Sequence, residues 1–223
     1  MRTSLRTELP QWVLIAGMFA LAAVTWSSAP DRIPIHWDVS GQPDDYAGKF
    51  VGLLGLPMMA VGLYLLLRVL PRVDPLGVNY AKFENVYLIV RYATLILLVA
   101  IYGLINLWIR DIKLDFSVIV PVLVGALFVV LGNYLGKVRQ NWFLGIRTPW
   151  TLTSSLSWVK THRLGGWLLV AVGSAIVVSG LAGFSWTAAF ILVSLAATAL
   201  LLAVYSYLIW RSDPEVRPSA GWN

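Results

Sequence analysis

The sequence contains no cysteine. That absence excludes disulfides, thiolate metal sites and cysteine nucleophiles, and leaves the redox compartment open. Charge is scarce as well: only 13% of residues are Asp, Glu, Lys or Arg, against about 25% in ordinary soluble domains. Too few charges are present to cover a soluble surface. Histidine occurs only twice, at His36 and His162. No Ser–His–Asp set, paired carboxylates, phosphate loop or metal motif is present. No basic block with interleaved aromatics of the nucleic-acid-binding kind appears either, so no direct nucleic-acid partner is expected.

What the chain does have is apolar sequence. It is 58% hydrophobic, with a mean hydropathy of +0.74. Six runs approach or reach the roughly 20 residues that a helix needs to cross a bilayer. They lie near Trp12–Ser28, Phe50–Leu70, Val86–Trp108, Phe116–Leu135, Gly165–Gly183 and Thr187–Trp210. The runs are continuously apolar and not alternating, which favours helices over a β-barrel. The expected fold class is all-α: a polytopic membrane protein with a bundle of six transmembrane helices. The first run is read as an uncleaved helix, because Pro30 would follow the "WSSA" string of a signal-peptide reading.

Lys and Arg set the expected orientation. Twelve lie at the amino terminus, after the second and fourth runs and in the tail; four (Arg32, Lys49, Arg110, Lys113) lie on the other side. This imbalance predicts cytoplasmic amino and carboxy termini. It divides the chain into residues 1–115, with an exterior polar loop at 29–49, and residues 116–223, with a cytoplasmic loop at 136–164. Gly48, Gly52, Gly55 and Gly62, and separately Gly166, Gly173 and Gly180, share helix faces and predict close helix packing.

The cytoplasmic loop has five basic residues and no acidic one. Pro149 holds Thr148 extended, so Arg147–Trp150 reads as a fixed bend and not as helix. Thr153 or Ser154 is expected to cap a short interfacial helix with Leu152, Leu156 and Val159 on its apolar face, ended at Gly165. Composition fits two readings equally: an aromatic and basic membrane anchor, or a docking surface presenting the planar fork of Arg147.

The exterior loop contains His36, Trp37, Asp38, Gly41, Pro43 and Asp44. The Gly41–Asp44 cluster reads as a turn, with Asp38 or Asp44 capping it. One histidine among scattered aspartates matches no recognised ligand spacing, so no metal or other cofactor is expected. Within the runs, Arg91 has two readings. It can snorkel to the headgroups, or face the bundle and pair with a polar residue such as Asn133. None of the six runs contains a carboxylate, so proton-coupled transport lacks its usual carrier.

The string "GNYLGKVRQNWFLGIRTPWTL", followed by Trp158, His162, Arg163 and Gly165-Gly166, resembles the SdpI immunity-protein family. Pro34, His36, Trp37, Gly41, Pro43, Asp44 and Lys49 resemble a small domain of unknown function that often precedes it. The resemblance implies an immunity and signal-transduction protein of the bacterial inner membrane without enzymatic activity. Its partners would be the lipid bilayer, a secreted toxic peptide met at the exterior face and a cytoplasmic repressor. It turns Asn141, Gly145, Arg147, Thr148, Pro149, Trp150, Trp158, His162 and Arg163 into candidate partner-binding residues. A transporter of small amphipaths or a general envelope protein is the alternative function. An enzyme acting on lipid headgroups through His36 is a lesser one.

Overall fold

A computed structural model describes residues 4–112 and 114–216; Arg2, Lys113 and Arg217 of the charge count lie outside them. Among the described residues, six helices are long and apolar enough to cross a membrane. They are α1 (Leu5–Thr25), α2 (Lys49–Val73), α3 (Glu84–Ile109), α4 (Phe116–Leu135), α6 (Ser155–Leu181) and α7 (Thr187–Arg211), with a short α5 at Pro149–Thr153. The molecule is a multi-pass membrane protein. Helices α1, α2 and α3 pack on one another, and α6 packs between α4 and α7.

The α4–α6 seam shows how small residues replace the hydrophobic drive that lipid removes. A Cβ on Gly125 would lie 2.6 Å from the Gly173 carbonyl oxygen, and one on Gly132 would lie 2.8 Å from that of Gly166. Gly180 continues the line against Val118 and Pro121. These contacts recur every two turns in antiparallel register, so both backbones run close along most of their length. The Gly166, Gly173 and Gly180 face was predicted. The glycines of α2 behave differently. Gly48 and Gly62 face open space, and Gly52 makes room for Ile33 of the exterior loop, not for a helix.

The loop expected on the exterior is a β-hairpin, where only a turn was expected. Strands β1 (Arg32–Trp37) and β2 (Pro43–Gly48) pair antiparallel, with an irregularity beside His36. Asp38 builds the turn as expected. Its Oδ1 accepts from the Ser40 and Gln42 amides, each at 2.9 Å, and from the Ser40 hydroxyl at 2.7 Å. These hydrogen bonds, that of the Ser40 hydroxyl foremost, hold the Asp38 carboxyl below the usual aspartate range. Gly41 has φ +78° and backs onto the start of α4. Trp37 stacks on Phe116, with ring centroids 4.1 Å apart. The hairpin therefore bridges the starts of α2 and α4.

Two further boundaries depart from expectation. Helix α6 begins at Ser155 and runs without a break through Gly165. The amphipathic stretch expected to be a separate interfacial helix is its first three turns. Gly165 does not terminate the helix but admits Ile146, Leu135 and Leu202 against it. Helix α1 begins at Leu5, capped by Ser4, which brings Glu8 into its first turn. Glu8 is a buried carboxylate, only 3% exposed, in a membrane helix where none was expected. Its charge is met by Arg91, which donates from Nη1 to Oε1 at 3.0 Å and from Nη2 to Oε2 at 2.9 Å. Arg91 therefore faces the bundle, but its partner is Glu8. Asn133 is exposed and donates to the Val129 carbonyl of its own helix. A buried bidentate pair of this kind is tolerated because each charge is the other's solvent.

Candidate functional site

The segment from Gly136 to Ser154 folds into a compact plug at the bundle end where α2, α4 and α7 finish. Its centre is Asn141, which is fully buried. Its Oδ1 accepts from the Phe143 amide at 2.9 Å and the Leu144 amide at 2.6 Å. Its Nδ2 donates to the carbonyls of Arg139 and Leu144. One side chain thus satisfies the backbone of a tight turn that has no secondary structure to do so.

The turn leads to Gly145, whose φ of +102° favours glycine. A Cβ at this position would overlap the His162 ring at Nε2. The close approach lets the Ile146 amide donate to His162 Nε2 at 3.0 Å. On its other side, Nδ1 lies 2.8 Å from the Trp158 carbonyl. Nδ1 must carry the proton and Nε2 must accept, so the two contacts select one neutral tautomer. The ring also stacks on Trp158 at 3.9 Å. Trp158 in turn donates from Nε1 to the Val138 carbonyl at 2.9 Å. His162 and Trp158 are buried and clamp the loop onto α6.

Thr148 begins α5. Its hydroxyl accepts from the Thr151 amide, Thr151 Oγ1 accepts from the Thr148 amide in return, and Pro149 occupies the first turn. This reciprocal cap is the capping-box logic with threonine in place of the usual acid. The Arg147–Trp150 stretch, expected to be non-helical, therefore holds the cap and the first turn of a helix, because Pro149 suits a helix start as well as a bend. Thr148 also meets the Ser206 hydroxyl of α7 at 2.9 Å. Trp150 packs edge-on against Tyr207. Gln140 closes the other end of α5 by donating to the carbonyls of Thr151 and Leu152.

Two aspartates outside the loop hold it in place, and the sequence reading missed both. Each follows a helix and precedes a proline: Asp74-Pro75 after α2 and Asp213-Pro214 after α7. Each uses Oδ1 to accept the amide two residues on, Leu76 at 2.7 Å and Glu215 at 3.0 Å. Each sends Oδ2 into the loop. Asp74 Oδ2 accepts from the Trp142 amide at 2.9 Å and from the Tyr80 hydroxyl at 3.0 Å. Asp213 Oδ2 accepts from the Ser154 hydroxyl at 2.5 Å. The Asp-Pro pairs were the available signal, since such dipeptides mark turns, but nothing local names their distant partners.

The predicted site residues thus separate into two sets. Asn141, Trp158 and His162 are buried, Gly145 and Thr148 are half-buried, and all five shape the loop. Arg147, Pro149 and Arg163 are exposed, with Trp150 half-buried beside them. Arg147 Nη1 donates to the Trp142 carbonyl at 3.1 Å, which steadies the guanidinium. Trp142, 50% exposed, adds an aromatic face to this surface. At the opposite end, His36 Nδ1 lies 2.6 Å from Asp44 Oδ1 across the hairpin. Asp38 is occupied by its own turn and Trp37 by Phe116, so of the predicted residues of this loop His36 and Asp44 form the exposed pair.

Comparison with known proteins agrees with both polar regions. Residues 137–206 match the model of the SdpI/YfhL protein family, and residues 13–61 match a domain of unknown function, DUF1648. Immunity protein SdpI of Bacillus subtilis (strain 168) is 23% identical over 167 residues, covering 74% of this chain and 77% of that protein. An uncharacterized membrane protein of the same organism, YbgB, is 34% identical over 50 residues, covering 22% of this chain and 55% of that protein. No solved structure matches.

Proposed function

We propose that this chain, a membrane protein whose carboxy-terminal half carries an SdpI/YfhL-family segment, gives a bacterium immunity to a secreted toxic peptide. The positive-charge imbalance puts its termini and the plug in the cytoplasm and the hairpin outside. In this reading the hairpin and adjoining helix faces meet the peptide, and the plug holds a cytoplasmic repressor at the membrane. The protein works by binding and not by catalysis.

One observation carries the reading: the family-matched segment is a prebuilt surface. Its buried residues are committed to shaping it, which leaves Arg147 steadied and open. A planar guanidinium held in one orientation beside an exposed tryptophan suits a carboxylate or aromatic partner at low ordering cost. Two assays test the two halves. Cells carrying the gene are expected to outgrow cells lacking it when challenged with membrane-active peptides secreted by neighbouring strains. Equal killing across the panel refutes immunity. In the second assay, Arg147→Ala and Trp142→Ala are expected to release a co-purifying repressor from the membrane fraction. Unchanged recovery refutes docking at this surface.

A further inference from the structure

The ion pair of Glu8 and Arg91 has a third charged member. Arg68 of α2 approaches the same carboxylate, with Nη1 3.0 Å from Glu8 Oε2. Nη1 also donates to the Tyr64 hydroxyl at 2.7 Å. That hydroxyl donates to Glu8 Oε2 at 2.6 Å and accepts from Trp12 Nε1 at 2.6 Å. Glu8 thus receives both guanidinium groups and one phenol.

Arg91 uses both terminal nitrogens on Glu8, so one charge is matched by one. The second positive charge of the cluster has no carboxylate of its own among the described residues. It resides on Arg68, whose side chain is 28% exposed while that of Arg91 is 1% exposed. Nε and Nη2 of Arg68 make no hydrogen bond to a described residue. Arg72 follows one turn later, exposed, and adds a second cation on the same helix.

The location narrows the counter-ion. Glu8 is in the first turn of α1, and Arg68 is in the last turns of α2. The cluster therefore lies where the helices leave the apolar layer, with Trp12, 42% exposed, beside it. Indole rings favour that depth, and an arginine at a helix end there reaches the headgroup layer. The remaining edge of an arginine fork matches two phosphate oxygens.

We propose that Arg68, framed by Trp12 and Tyr64, binds the phosphate of an anionic phospholipid at the rim of the α1–α2–α3 unit. Glu8 and Tyr64 are positioning residues that fix the guanidinium and leave its free edge toward lipid. The site stands apart from the immunity reading and survives its failure.

The test uses the full chain purified in detergent, with phosphatidylglycerol, phosphatidylcholine or millimolar inorganic phosphate added separately. Native mass spectrometry counts retained lipid, and the unfolding temperature is read in parallel. Wild type is expected to retain one phosphatidylglycerol in preference to phosphatidylcholine and to melt higher with it. Arg68→Gln is expected to bind that lipid about tenfold more weakly, the loss of one charge-assisted contact. Arg68→Lys, which keeps the charge and removes the fork, is expected to fall between the two. Arg110→Gln, at the opposite end, is expected to behave as wild type. Equal retention of both lipids by wild type overturns the proposal whether or not any variant folds. So does a shift with inorganic phosphate as large as that with phosphatidylglycerol, which would make the site one for the free anion. Unaltered retention by folded Arg68→Gln also overturns it.

Discussion

Gly145→Ala perturbs the plug at its tightest point, and its cost divides into two separable parts. The first is local. Alanine at φ +102° sits in a region that L-residues rarely occupy, which costs about 1–3 kcal/mol wherever it is imposed. The second part depends on a neighbour. The new Cβ overlaps the His162 ring, so the ring must move and release the Ile146 amide. A buried donor left unpaired costs about 1–3 kcal/mol. Together the change is expected to remove about 2–6 kcal/mol, a large share of the roughly 5–15 kcal/mol of a typical fold. The assay is a double-mutant cycle with His162→Ala, read by denaturant unfolding in mild detergent. His162→Ala already removes the ring and its acceptor, so Gly145→Ala in that background retains only the backbone part. A coupling of about 1–3 kcal/mol is expected, within the range for residues in contact. Additive effects would refute the assignment of His162 as the reason for glycine here. A melting temperature unchanged by Gly145→Ala alone would refute both parts.

Glu8→Ala is expected to destabilise the protein by about 3–5 kcal/mol, because Arg91 stays buried without its counter-charge; the double variant Glu8→Leu/Arg91→Met should recover much of that loss by the same unfolding assay, and no recovery would show that the pair does more than balance charge. Gly173→Val places a branched Cβ 2.7 Å from the Gly125 carbonyl oxygen and is expected to force α4 and α6 apart, read as a lower unfolding temperature in mild detergent; an unchanged unfolding temperature would refute the close seam. The Asp38 turn titrates with a defined sign. Its carboxyl is held below the ordinary range, so its contribution is fully present above the unfolded aspartate pKa and is lost as pH falls through the lower folded value. Amide exchange at Ser40 and Gln42, corrected for intrinsic rates, should therefore quicken only at pH values below the normal aspartate range, and acceleration nearer neutrality would refute the assignment.

Periodic and local features were legible in the sequence. Six apolar runs gave six spanning helices, because a long uninterrupted apolar segment has no other stable form in lipid. Gly166, Gly173 and Gly180 signalled a packing face through their spacing, and Asp38 signalled its turn through its neighbours. Features resting on distant partners were not legible. Glu8 argued against a helix in lipid until Arg91, 83 positions away, supplied its charge. Gly165 reads locally as a terminator, yet its meaning comes from Ile146, Leu135 and Leu202, all outside α6. The motif around Arg147 looked like a run of candidate contacts. Its geometry divides it, since a residue that shapes a surface and a residue that presents one look alike in a string. The hairpin was hidden because Pro34, Pro43 and two consecutive aspartates are poor strand formers, and it is held by Ile33 in the notch at Gly52 and by Trp37 on Phe116.

The two Asp-Pro corners give the plug a mechanical property. Asp74 belongs to the end of α2 and Asp213 to the end of α7, and each fastens one margin of the same short segment through a single carboxylate oxygen. The segment, clamped to α6 by His162 and Trp158, is therefore also tied at its margins to two helices far apart in the chain. A tilt of either helix lengthens or slackens that span, and the displacement reaches the Trp142 amide from one side and the Ser154 hydroxyl from the other. Arg147, which rests on the Trp142 carbonyl, follows the first of these movements directly. Its position at the surface is thus a gauge of how the ends of α2 and α7 stand relative to each other.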